Sequence, residues 1–351
     1  MMQDVICKGA MGAGQETEYA HIFPRGRLRA NFSPWTELSK SQLAKLKRSA
    51  YQPRMTYIPH ALRLTAFALS TALMLSACAP ASDAPLATKT TVASAGMPSL
   101  KTALTCLPDG AALMASHRGT SRDWDIAENG LAGLKQLIAD GYKVAEIDIA
   151  GLKDGTLITY HDGVWDETST GKGPVASSTA GDVEKILLKT RKGTLTAERP
   201  PLFADLLAAG KGKIYFEIDF KSSAKKPAVI QAIRDAGMTD QVVLIAYNPE
   251  QQATLEKLAP DMLLSTPTET SKAGHLVWMG PDAWNSAEAE PLIAQGSIVI
   301  GRVWERAKAD KLGGVLQNSR MVVTDYINQY DPIMGLKPAD MPAYEACLKT
   351  G

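Results

Sequence analysis

From Leu113 to the end of the chain, short apolar runs alternate with segments whose apolar residues recur at helical spacing. The runs that read as strands are Leu113–Ser116, Val144–Ile149, Leu157–Tyr160, Ile214–Ile218, Val242–Ala246, Met262–Ser265, Leu276–Met279, Ser297–Ile300 and Met321–Thr324. Between most of them lie amphipathic stretches, including Leu131–Ala139, Ala228–Ala236 and Pro249–Leu258. Strands that are apolar throughout are buried on both faces, which is the mark of a parallel sheet covered by crossover helices. A series of about eight such units, in a span near the ~250 residues usual for the fold, predicts a TIM (β/α)8 barrel over residues 111–351. No second domain and no short internal repeat is read in this span.

The first hundred or so residues follow another pattern. Leu64–Ala77 is an apolar run shorter than the roughly 20 residues of a membrane span. It has the size of a signal-peptide core, with Arg54, His60 and Arg63 just ahead of it. It ends Leu75-Ser76-Ala77-Cys78, which resembles the lipobox of bacterial lipoproteins, in which the cysteine is acylated and becomes the mature N-terminus. The competing reading is a short buried helix with Cys78 as a small core residue. Ala79–Thr105 is rich in Ala, Ser, Thr and Pro and reads as a flexible tether. Met55 is well placed as an initiator, which makes 1–54 an upstream extension. The expected organisation is therefore extension 1–54, signal peptide 55–77, lipidated tether 78–110 and barrel 111–351. It implies an exported protein held by a lipid anchor at the periplasmic face of a bacterial membrane; Ala79 after the cysteine favours the outer one.

Composition adds limits. The formal net charge of the 351 residues is +1, so no global field favours nucleic acid as a partner, and an anionic ligand has to be held by local groups. The four cysteines, Cys7, Cys78, Cys106 and Cys347, form no CxxC pair, which leaves a zinc knuckle or a thioredoxin-like site unsupported. Export puts Cys106 and Cys347 in an oxidising compartment, where they bracket the folded part and are candidates for a disulfide or for two free thiols.

In a barrel of this kind the active site lies at the C-terminal ends of the strands. Those ends are crowded with titratable groups: Ser116-His117-Arg118-Gly119, Glu146-Ile147-Asp148, His161-Asp162, Glu217-Ile218-Asp219 with Lys221, and Thr324-Asp325. Buried acids are costly unless paired, and a bound cation would pair them. The ordered set His117-Arg118-Gly119, Glu128-Asn129, Glu146-Ile147-Asp148, Lys153-Asp154-Gly155, His161-Asp162 and Thr168-Ser169-Thr170-Gly171-Lys172-Gly173 resembles the glycerophosphodiester phosphodiesterases. Pro201-Leu202 and Val322-Val323-Thr324-Asp325-Tyr326 resemble two further family elements. Three positions depart from the pattern. Ala127 replaces a Pro, Gly130 replaces a Thr, and Asp219 stands where the family has Lys after Glu-x, with Lys221 two residues later.

The resemblance implies metal-dependent hydrolysis of glycerophosphodiesters to glycerol 3-phosphate and an alcohol. Glu146 and Asp148, two apart on a strand, face one side and would hold one divalent cation with Glu217. Such hard oxygens suit Ca²⁺ or Mg²⁺; the bland alternative is an acid cluster neutralised by Arg118 and Lys221. His117 and His161 would be general acid and base, in either order. Arg118, Lys221, Glu128 and Trp304 are candidates for phosphate or substrate contact, with Glu128 and Asn129 alternatively holding Arg118 or capping the first helix. Asp219 is either an added ligand or a neighbour of a returning Lys221. Trp278 is a candidate for the substrate mouth or for plain packing, Arg302 with Trp304 for contact with the leaving group, Trp165 with the Gly171–Gly173 loop for the pocket lip, and Asp154-Gly155 for a hairpin turn. Either water or the glycerol 2-hydroxyl can be the attacking group. Two other readings remain: a phospholipase C- or D-like enzyme acting on lipid head groups, and a non-catalytic binding lipoprotein.

Overall fold

The computed structural model describes residues 96–304 and 309–350, together with two short antiparallel strands, Val5–Lys8 and Glu18–His21. The expected signal peptide, Cys78 and most of the tether lie outside the described residues. Two units divide the chain, Met1–Ala87 and Thr88–Gly351, and everything that follows concerns the second.

Eight parallel strands close on themselves: β1 (Ala112–Ser116), β2 (Val144–Gly151), β4 (Tyr215–Phe220), β5 (Val242–Ile245), β6 (Leu263–Thr266), β7 (Leu276–Gly280), β8 (Ile298–Val303) and β9 (Met321–Thr324). Each pairs with its neighbour in parallel, and β1 pairs with both β9 and β2, so no edge is left open. Two short strands flank the barrel, β3 (Leu157–Thr159) antiparallel to β2 and β10 (Ile333–Met334) antiparallel to β1. The β2–β3 connection turns at Lys153-Asp154-Gly155, where Gly155 takes φ +87°, a left-handed conformation that favours glycine.

The pleat sorts the strands into two layers. Met114, Ala145, Ile147, Phe216, Ile218, Leu244, Val299 and Val322 face outward against α2 (Leu131–Ala139), α4 (Phe203–Gly210), α5 (Lys226–Ala236) and α6 (Pro249–Leu258). Leu113, Ala115, Val144, Tyr215, Val243, Leu276, Ile300 and Val323 face inward and fill the barrel. Two predicted helices, Leu131–Ala139 and Pro249–Leu258, have the bounds their periodicity gave. Among the described residues the other helices are α1 (Leu100–Thr105), α3 (Ala180–Val183), α7 (Ser286–Ala294), α8 (Ala309–Asn318) and α9 (Met341–Thr350).

Helix α1 corrects the expected domain boundary at residue 111. Leu100, Ala103, Leu104 and Leu107 recur at helical spacing, are buried, and belong to the same apolar cluster as the barrel interior. Ser99 caps the helix, its Oγ accepting from the Thr102 amide at 3.1 Å. The Tyr215 hydroxyl at the base of β4 donates to the Pro98 carbonyl at 2.7 Å. The segment from about residue 97 is therefore the barrel floor, not a tether.

Cys106 and Cys347 form a disulfide with Cα atoms 5.8 Å apart, joining α1 to α9 across a sequence separation of 241. Closing so long a loop restricts the unfolded chain, and such bonds typically contribute about 2–4 kcal/mol. Replacing both cysteines by Ala is expected to lower the melting temperature by roughly 5–15 °C, at about 2–4 °C per kcal/mol for a domain of this size. A melting curve unchanged by the substitutions or by reductant would refute that role.

Candidate active site

The C-terminal mouth of the barrel opens into a cavity of about 550 Å³ lined by His117, Glu146, Asp148, His161, Asp219, Lys221, Trp278, Arg302 and Trp304, among others. That volume is in the ~300–1,000 Å³ range of small-molecule sites.

The turn after β1 sets the first histidine. Arg118 is left-handed (φ +55°, ψ +30°), which is costly for a side chain-bearing residue and is held here by its neighbours. The Arg118 amide donates to Glu146 Oε2 at 2.8 Å, and its carbonyl accepts from the Asn129 amide at 2.7 Å. A Cβ on Gly133 of α2 would lie 2.3 Å from the Gly119 carbonyl oxygen, so glycine there lets the helix close on this turn.

Both histidines are oriented by carboxylates. His117 Nδ1 donates to Asp325 Oδ1 at 2.7 Å, while Arg122 (2.7 Å) and Arg191 (3.6 Å) approach the same carboxylate. Burial works to raise the Asp325 carboxyl, but the bond from His117 and the charges of His117, Arg191 and Arg122 hold it below the usual range. His117 Nε2 is then the free ring nitrogen, 3.9 Å from Glu146 Oε2. His161 Nδ1 donates to Asp162 Oδ1 at 2.7 Å, and that bond, against burial, lowers the Asp162 carboxyl. Arg118 Nη2 lies 2.7 Å from His161 Nε2; arginine only donates, so this nitrogen accepts.

The acids come from β2 and β4. Glu146 pairs with Glu217 and Asp148 with Asp219 in register, so all four carboxyls point inward on two adjacent levels. Oxygens of Glu146, Asp148 and Asp219 lie within 4.8 Å of one another. Lys221, two further along the same face of β4, turns back and places Nζ 2.6 Å from Asp148 and 2.7 Å from Asp219. Burial would raise the Asp148 carboxyl, but the Lys221 ammonium, and then His161, hold it below its ordinary value. Glu146 has no such cation; burial and then the Asp148 charge push it well above the carboxylate range. Glu217 is fully buried and neither of its oxygens has a hydrogen-bond partner. Burial, then Asp219, pushes it up to about 8.

Lys221, with Arg118 Nε 3.9 Å from Asp148, faces four inward acids, and the orphaned Glu217 oxygens are the sharpest sign of a missing partner. Glu146, Asp148 and Asp219 are hard oxygen donors close enough to hold a divalent cation together; Glu217, paired with Glu146 in register, is outside that group and does not line the cavity. The sequence grouped Glu146, Asp148 and Glu217; the structure adds Asp219 and sets Glu217 one level deeper than Asp148 and Asp219.

Other expected site residues have different surroundings. Arg118 is tied by Nη1 to Glu128 (2.9 Å) and by Nη2 to His161. Glu128 bridges Arg118 and Arg191 and is not among the cavity-lining residues. Asn129 exchanges two bonds with Asp148, Nδ2 to Oδ2 at 2.7 Å and the Asp148 amide to Oδ1 at 3.0 Å. Trp165, expected at the lip, is buried, with Nε1 donating to Ser178 Oγ at 2.8 Å. Trp304 does line the cavity, its ring centroid 4.5 Å from that of His117. Sequence reasoning missed Asp325 as the His117 partner and Arg191 as the Glu128 partner. Asp325 directly follows an apolar strand, which was an available clue; Arg191 arrives on a loop 63 residues from Glu128 and offered none.

The model of the glycerophosphoryl diester phosphodiesterase family matches residues 117–330. The chain belongs to that family. A glycerophosphodiester phosphodiesterase from Caldanaerobacter subterraneus subsp. tengcongensis is 27% identical over 157 residues, covering 43% of this chain and 64% of that relative. The aligned part thus spans under two thirds of the relative. The fold is shared with a glycerophosphoryl diester phosphodiesterase from Parabacteroides distasonis, at a TM-score of 0.57 and 16% identity, covering 72% of this chain and 94% of that one. It is shared too with an Oleispira antarctica phosphodiesterase in complex with the product sn-glycerol-3-phosphate, at a TM-score of 0.50 and 17% identity, covering 65% and 97%.

Proposed function

We propose that this protein hydrolyses glycerophosphodiesters to glycerol 3-phosphate and an alcohol, with one divalent cation, Ca²⁺ or Mg²⁺, held by the inward acids. The observation that carries the reading is the pair of carboxylate-oriented histidines and the Glu146, Asp148 and Asp219 carboxyls in one cavity, with the unpartnered Glu217 carboxyl buried beside Glu146 in the strand register. Family membership and the product bound to the Oleispira relative support the substrate class.

Glu146, Asp148, Asp219 and Glu217 would hold the cation, which when bound supplies positive charge to the phosphate oxygens and to a nearby hydroxyl. His117, with Nδ1 fixed on Asp325, presents Nε2 as a proton acceptor. His161, with Nδ1 fixed on Asp162, lines the same cavity, and its Nε2, which accepts from Arg118 Nη2 at 2.7 Å, would exchange that bond for one to the substrate. Two imidazoles with separate carboxylate partners suit a displacement at phosphorus in which one takes the proton of the attacking hydroxyl and the other protonates the departing alkoxide. Lys221 lines the cavity, and its ammonium, 2.6 Å from Asp148 and 2.7 Å from Asp219, would be placed to meet a phosphate oxygen. Attached to a lipid anchor at Cys78, the barrel would work at the periplasmic face of a bacterial membrane. The Cys106–Cys347 disulfide supports an oxidising compartment.

A choice between substrates tests this function. Full-chain protein with Ca²⁺ or Mg²⁺ is offered glycerophosphocholine and, separately, phosphatidylcholine vesicles. Glycerol 3-phosphate from the first with nothing from the second is the expected outcome. Diacylglycerol or phosphatidate from the vesicles, with the small diester untouched, would move the activity to lipid head groups.

A further inference from the structure

Beside His117 the cavity has a wall whose chemistry the hydrolysis itself does not use. It is made of Trp278 on β7 and of Arg302 and Trp304 at the end of β8. The Arg302 guanidinium carbon sits 5.2 Å from the centroid of Trp304, and the two indoles are 6.4 Å apart. The strand pairing slips between Ile300 and Gly301, an irregularity that passes over Met279 of β7. Bulges of this kind re-aim side chains at barrel rims. Gly280 is left-handed (φ +59°), and a Cβ there would lie 3.3 Å from both Arg302 Nε and Trp278 Nε1. A glycine and a bulge thus make room for the arginine.

Arg302 differs from the other cations around the site. Lys221 is matched by Asp148 and Asp219, and Arg118 by Glu128. Among the described residues no carboxylate lies within ion-pair distance of Arg302, and its buried Nε, like that of Arg118, has no hydrogen-bond partner. Glu269, the lining acid outside the metal cluster, accepts from Thr268 Oγ1 instead.

Building on the proposed glycerophosphodiester hydrolysis, we infer that Arg302 is a specificity-determining residue that selects substrates whose alcohol carries an anion, such as the carboxylate of serine. An aromatic wall alone would suit a quaternary ammonium through its ring faces. Here a guanidinium already lies over the Trp304 ring, so a second cation is repelled. Guanidinium pairs with carboxylate or phosphate in a planar, two-bond geometry. In the proposed reaction the phosphodiester is met by the cation and Lys221, and the glycerol half has no charge, so an anion at this wall comes from the alcohol.

The test compares kcat/KM of the full-chain protein, loaded with metal, for glycerophosphoserine and glycerophosphocholine. Wild type is expected to favour the serine ester by tenfold or more. Arg302→Gln lowers kcat/KM for the serine ester about 10- to 100-fold, chiefly through KM, and raises it for the choline ester; Arg302→Lys recovers part of the preference. A wild-type preference for choline, or equal losses on both esters, overturns the inference. Tryptophan fluorescence titrated with O-phosphoserine and with phosphocholine reads the same selectivity without turnover. If neither ester is hydrolysed yet O-phosphoserine binds in an Arg302-dependent way, the hydrolytic reading falls and this one stands. Equal binding of the two ligands sinks it.

Discussion

Replacing Glu217 by Gln is expected to make the metal-free protein more stable and at the same time to remove its response to metal. Glu217 is fully buried, has no hydrogen-bond partner, and is pushed up to about 8 from an ordinary 4.5. Between those values the folded state binds a proton that the unfolded state has released, so this group's contribution to stability falls as pH rises. The slope is about 1.4 kcal/mol per pH unit, and the loss is complete once pH passes the folded value. Without metal, wild type should therefore melt lower at pH 8 than at pH 5, and Glu217→Gln should flatten that dependence. At pH 7 the substitution is expected to stabilise the metal-free form by roughly 2–3 kcal/mol. A cation that binds only the folded state reverses the order, because it stabilises wild type by mass action and the variant much less. Melting curves at several pH values, with chelator and with Ca²⁺ or Mg²⁺, read both effects. A variant less stable than wild type in chelator, or one with an unchanged metal response, would show that Glu217 is not a cation ligand.

The second large effect concerns the histidines. His117→Ala and His161→Ala are each expected to lower kcat about 10²- to 10⁴-fold, the usual contribution of a positioned acid or base. Neither imidazole belongs to the acid cluster, so the melting shift caused by metal should persist in both variants. Asp325→Asn tests orientation separately. Asp325 fixes the His117 tautomer, and an amide can present either a donor or an acceptor to Nδ1. Its loss in kcat should be smaller than that of His117→Ala, and the double variant should be no worse than His117→Ala alone. Additive losses would mean that Asp325 acts on something other than His117, such as Arg122 or Arg191.

The barrel was legible because its two periods are clean. Strands such as Val242–Ile245 are apolar throughout, and α2 carries a regular stripe that tertiary context did not override. Helix α1 was hidden by its setting. Its stripe of Leu100, Ala103, Leu104 and Leu107 is embedded in an Ala-, Ser-, Thr- and Pro-rich stretch whose average composition speaks for a linker. Trp165 misled in the opposite direction. A tryptophan in a glycine-rich loop suggests a pocket rim, yet a Cβ on Gly171 would lie 2.7 Å from the Trp165 ring, so the loop closes over the indole and buries it.

The site was legible as a set of residues but less so as a set of contacts. Strand parity alone put Glu146, Asp148, Glu217 and Asp219 on one face. It could not show that Lys221 folds back between Asp148 and Asp219, since that depends on how a long side chain leaves the end of β4. Arg118 reads as a phosphate clamp from its type and Glu128 as a residue that could hold it, and the two are indeed joined at 2.9 Å. The structure ties them to His161 and Arg191, partners brought in by separate loops.

The most direct test follows glycerophosphocholine by phosphorus NMR in the presence of purified full-chain protein, first with chelator and then after excess Ca²⁺ or Mg²⁺ is added. The account predicts a diester resonance that stays unchanged in chelator and converts to that of glycerol 3-phosphate once metal is present. Conversion that proceeds equally in chelator would contradict the role given to the acid cluster. An unchanged diester, with folded protein that binds the cation, would contradict the proposed reaction itself.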